Sequence, residues 1–78
     1  MIISFQFKCG VKKQEEDNLK ECMRYFHECY RPIEEAKRYS QNEAQRVEAR
    51  ILEADVFIQM CVAESKKAIQ TGMLQFLS

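Results

Sequence analysis

The chain has 78 residues, of which 46% are apolar and 31% charged, with twelve acids against twelve Lys and Arg. That length supports one domain, residues 1–78, near the lower size limit for a stable core, so an added staple or a partner subunit is expected. A net charge of zero gives no long-range pull toward nucleic acid or anionic lipid, and two Gly, one Pro and no Trp argue against a loop-rich or all-β fold.

Residues 1–10 read as a short β-strand. Ile3, Phe5 and Phe7 alternate with Ser4, Gln6 and Lys8, which is period two, and Gly10 ends the run. The opening MIISFQFKCG has no basic leader and no long apolar segment, so it reads as mature structure and not as a signal peptide.

A helix is expected over 14–39. Leu19, Cys22, Met23, Phe26, Cys29, Tyr30, Ile33 and Ala36 recur at three and four and line one face. Acids open it and Lys37 and Arg38 close it, both of which suit the helix dipole. Pro32 is the difficulty. It either kinks this helix or is the first residue of a new one, with the turn at Arg31–Pro32. Ser40-Gln41-Asn42-Glu43 offers a capping box and a turn at Tyr39–Asn42 instead. The second reading is preferred: a helix kinked near Pro32, then a long helix over 41–71, with Gly72 stopping it and an apolar tail over 72–78.

The long helix contains the most apolar run of the chain, Ile51–Ala63, and that run is apolar on two sides. Ile51, Ala54, Phe57, Ile58, Cys61 and Val62 share one face; Leu52, Val56, Met60 and Ala63 share the opposite one. The stripe through Ala44, Val47, Ile51, Ala54, Ile58, Cys61, Ser65, Ala68 and Ile69 is assigned to the hairpin core. Leu52, Val56, Met60 and Ala63 are then surplus, and are expected to form a subunit or partner interface. Burying a Leu or Met is worth roughly 1.5–3 kcal/mol, so such a stripe does not stay in water. The expected fold is therefore mostly α: a long antiparallel helical hairpin with a short N-terminal strand, pairing into a dimeric four-helix bundle.

The residues that could carry chemistry do not converge. Cys22 and Cys29 are seven apart, about 10 Å along a helix axis, too far to meet one ion. Within reach of Cys61 on its own helix, Glu64 is the single candidate ligand. His27, the lone histidine, borders the apolar face, and with two glycines there is no phosphate-binding loop. No catalytic residue, metal or cofactor is expected. The cysteines read as small core hydrophobes, which with the absence of a secretion signal suggests a reducing, cytoplasmic setting. Lys37, Arg38, Arg46 and Arg50 gather near the hairpin tip and could contact nucleic acid, but Glu34, Glu35, Glu43, Glu48 and Glu53 are interleaved with them. No segment has the length and apolarity of a membrane span. What remains is a small non-enzymatic adaptor, inhibitor or regulator that binds a protein as a helical homodimer. The alternative is a nucleic-acid-binding regulator of the same shape.

Overall fold

The computed structural model describes residues 2–77, with side chains placed over 5–73. The chain is mostly α-helical, in three helices: α1 (Ile2–Glu15), α2 (Leu19–Tyr39) and α3 (Glu43–Leu77). No strand occurs among the described residues.

The first correction concerns residues 2–10, which belong to a helix and not to a strand. Ile3 and Phe7 share a strand face, but they are also i and i+4, so that pair fits either period and only Phe5 between them separates the two readings. What decides is the continuation. Phe7, Gly10, Val11 and Gln14 keep a three-and-four spacing, and this is the side that α1 turns to the rest of the chain. Phe5, which a strand would place beside Ile3 and Phe7, is left exposed.

The second correction is a break at 16–18, inside the expected 14–39 helix. Asp17 adopts φ 60°, the left-handed region that Asp tolerates better than most residues. The Asn18 N–H donates to the Lys13 carbonyl at 2.9 Å and the Asp17 N–H to that of Gln14 at 3.0 Å. This pair of bonds is a Schellman motif, and it satisfies carbonyls that the end of α1 would otherwise leave open. Asn18 then caps α2: its side-chain oxygen accepts from the Glu21 N–H at 3.4 Å. Asn18-Leu19-Lys20-Glu21 thus has the spacing of a capping box, although the Glu21 carboxylate is engaged by Arg24.

α2 runs unbroken through Pro32. The chain turns next at 40–42, where the Ser40 N–H still bonds the Ala36 carbonyl at 3.3 Å. Asn42, and not Ser40, caps α3, accepting from the Ala44 N–H at 2.9 Å. Ser40 holds the turn: its hydroxyl donates to Gln45 Oε1 at 2.9 Å and its carbonyl accepts from Arg46 at 2.7 Å. α3 continues through Gly72 to Leu77, so the expected separate tail at 72–77 is the last part of this helix. Ser78 lies outside the described residues.

α2 lies at the centre. Its buried stripe is Leu19, Cys22, Phe26, Cys29 and Ile33, at the helical repeat of three and four. α3 meets it with Ala49, Val56 and Ala63, spaced by seven, together with the partly buried Leu52 and Met60. The two alanines let the helix backbones come close, and Val56 fills the space between them. α1 folds back on the other part of the same stripe. The Phe7 and Phe26 rings pack with centroids 5.9 Å apart. Gly10 sits under the Phe26 ring, where a Cβ would fall 2.5 Å from Cε1. α1 and α3 hardly touch; between them Gln14 Nε2 donates to the Gln59 carbonyl at 3.3 Å. The molecule is a rod of 55 × 16 × 14 Å, its length set by α3.

Candidate protein-binding surface

The two stripes of α3 are placed the opposite way from the sequence expectation. Leu52, Val56, Met60 and Ala63, expected as a subunit or partner interface, face α2; Val56 is 0% and Ala63 1% exposed. Val56 and Ala63 are core of the single chain, and Leu52 and Met60 are partly buried against that core. Ile51, Ile58 and Cys61, expected as hairpin core, point outward. A helical wheel finds two stripes but does not rank them. The ranking comes from what α2 presents. Lys37 donates to both carboxylate oxygens of Glu53, at 2.9 and 3.1 Å, and Glu53 flanks the Leu52–Val56 side of α3. That pair and the Ala49–Val56–Ala63 row turn the same side of α3 toward α2.

The exposed face is wide and apolar. Val47, Ile51, Phe57, Ile58, Val62, Ile69 and Met73 keep 40–62% of their surface in water. Phe57, Ile58, Cys61, Val62, Ser65 and Ile69 line a shallow open groove along it. Monomeric proteins rarely expose an apolar patch of several hundred Å², and larger ones mark interaction sites. None of these seven apolar residues was assigned to the interface from the sequence; Val47, Ile51, Ile58 and Ile69 were assigned to the hairpin core. The centre of this face is a repeat at three and four that the sequence shows: Ala44, Val47, Ile51, Ala54, Ile58, Cys61, Ser65, Ala68 and Gly72 follow it without a break, and all are exposed, with Phe57, Val62, Ile69 and Met73 flanking it. In heptad terms these are the a and d positions of a coiled-coil seam, and the residues buried against α2 occupy the far side of the helix.

The basic residues near the α2–α3 turn are mostly engaged. Lys37 is held by Glu53 and Glu34, which keep its ammonium charged above the ordinary range, and Lys37 in turn holds the Glu34 carboxyl below its ordinary range. Arg38 pairs with Glu34 at 3.5 Å. Arg46 donates to the Ser40 carbonyl. Arg50 stands beside Tyr30, Ala54 and Phe57 on the rim of the apolar face, with no ion pair among the described residues. The outer face of α2 carries its own pairs, with Arg24 bonded to Glu21 and Glu28 and lying over the Tyr25 ring at 4.5 Å.

The four cysteines are free thiols in three environments: Cys22 and Cys29 buried, Cys9 half-buried and Cys61 exposed. Burial pushes the Cys29 thiol up to about 11 and raises that of Cys22 as well. Cys29 donates weakly to the Tyr25 carbonyl at 3.3 Å. His27 is exposed. Among the described residues no three His, Cys, Asp or Glu side chains come together as metal ligands, and no helix is long and apolar enough to cross a membrane. Comparison with protein-family models, with curated proteins and with solved structures finds no match.

Proposed function

We propose that the protein is a small non-enzymatic adaptor, inhibitor or regulator that binds protein and acts as a helical homodimer. The observation that carries this reading is the exposed apolar seam of α3, opposite the face that α2 covers. A seam of this kind is a helix-pairing surface, and nothing within the described chain reaches it. A reducing, cytoplasmic setting goes with the reading, since four free thiols fit it. A nucleic-acid-binding role has less support, because three of its four basic residues are engaged by Glu side chains or by backbone.

Two substitutions on α3 test the proposal. Ile58→Asp places a charge on the seam and should give a helical monomer. Val56→Asp places one at a fully buried position and should unfold the chain. Sedimentation velocity with circular dichroism reads both. A wild type that stays monomeric at micromolar concentration would sink the homodimer.

A further inference from the structure

Resting on that homodimer reading, we infer that the α3 seam is covered by α3 of a second copy running antiparallel, with residues i and j facing each other where their numbers sum to about 112. The first argument is size. The seven exposed apolar side chains of this face each leave roughly 100 Å² open, about 700 Å² per copy, close to the ~800 Å² per partner that a stable interface buries. The surface is therefore large enough for a second copy of the same chain.

The second argument is shape, and it selects the orientation. In the centre of the seam the d positions Ala54 and Cys61 are small and the a positions Ile51 and Ile58 large, while toward its ends Val47 stands at d and Ala44 and Ser65 at a. A parallel in-register pair would set each small residue against itself and leave layers of voids between the isoleucines. The antiparallel pair sets large against small in its central layers. Val47 meets Ser65 of the second copy, Ile51 meets Cys61, and Ala54 meets Ile58. Ile69 and Met73 then extend toward the second copy's α2–α3 turn, beside which Tyr39 is 74% exposed.

The third argument is charge. In an antiparallel pair the residues flanking one side of the seam meet residues from that same side of the other helix. Arg50 and Glu64, both exposed and without an ion pair among the described residues, come opposite each other twice, once at each end. Phe57, between them in sequence, falls on the two-fold axis against Phe57 of the second copy, a pairing that aromatic rings favour. The same register brings Asp55 near Asp55 of the second copy at the opposite, solvent-washed edge, where water and salt screen the repulsion. α2 lies behind each α3, so the assembly is a central helix pair with a hairpin partner on each outer side. It differs from a four-helix bundle with one shared core.

A charge swap tests the register without removing a core side chain, because Arg50 and Glu64 are both exposed and neither belongs to the buried cluster. The dimer constant is measured by sedimentation equilibrium for Arg50→Glu, Glu64→Arg and the double variant. Each single variant should weaken the dimer on the order of tenfold at low salt, from two symmetry-related pairs, and the double variant should return to near the wild-type constant. Single variants that leave the constant unchanged would overturn the register. Rescue of Arg50→Glu by Asp55→Arg, and not by Glu64→Arg, would overturn it in favour of the parallel pair, in which Arg50 faces Asp55 of the second copy. A wild type that does not dimerise at all would instead overturn the homodimer itself.

Discussion

Gly10→Ala is expected to destabilise the protein, although Ala is the better helix former. A Cβ on Gly10 would lie 2.5 Å from Cε1, 2.7 Å from Cδ1 and 3.1 Å from Cζ of Phe26. Carbon atoms rest at about 3.5–4.0 Å, so the ring must retreat by about 1 Å. Phe26 is fully buried and packs on Phe7, so the retreat displaces core neighbours and cannot be taken up by solvent. Forcing a methyl into a packed core costs about 1–3 kcal/mol, while Ala over Gly in a helix interior returns about 1 kcal/mol. The net is a loss of about 1 kcal/mol, which lowers the melting temperature of a chain this size by about 4–8 °C. Gly72→Ala is the control. It also lies within a helix, but a Cβ there meets nothing within 4 Å, so the propensity gain of about 1 kcal/mol stands unopposed and the melting temperature should rise. Thermal and urea denaturation by circular dichroism, at one fixed protein concentration to hold any association constant, measure both. If Gly10→Ala stabilises as much as Gly72→Ala, α1 does not dock on α2 through Phe26 and the three-helix packing is wrong.

Asn18→Ala and Asn42→Ala each remove a helix cap and should cost about 1 kcal/mol in urea denaturation, with Asn18→Gly losing only a few tenths. Thiol modification of the native protein followed by peptide mass mapping should label Cys61 first, Cys9 more slowly, and Cys22 and Cys29 only on unfolding; stability should also fall at alkaline pH. The Cys29 thiol is raised from 9 to about 11 by burial, so its contribution is whole below pH 9 and is lost as pH rises through 11. Cys29→Ala should flatten part of that loss, leaving the part due to Cys22 and Tyr30, which burial also raises.

Much of the fold was legible in the residues. The stripe of α2 was visible because Leu19, Cys22, Phe26, Cys29 and Ile33 have no competing apolar face, so period and burial point the same way. The turn at 40–42 was visible because Ser40 and Asn42 are cap residues set between two periodic runs. The break at 16–18 was missed for a physical reason. Glu15, Glu16 and Asp17 suit the first turn of a helix, so they masked the Asp17-Asn18 pair that ends one helix and caps the next. α1 was missed because Ile3 and Phe7 satisfy both the strand period and the i, i+4 spacing of a helix, and Phe5 between them favoured the strand.

The sequence by itself determined that α3 has two apolar faces and that a single partner helix can cover only one of them. The tertiary structure decided which face is which. Val56 and Leu52 went inward because Ala49 and Ala63 allow a close approach to α2 and because Glu53 reaches Lys37 from that side. Ile51, Phe57 and Ile58 were left outside, as the face from which this protein would bind. A wheel records the angle between two stripes. Only the shape and charge of the neighbouring helix can choose between them.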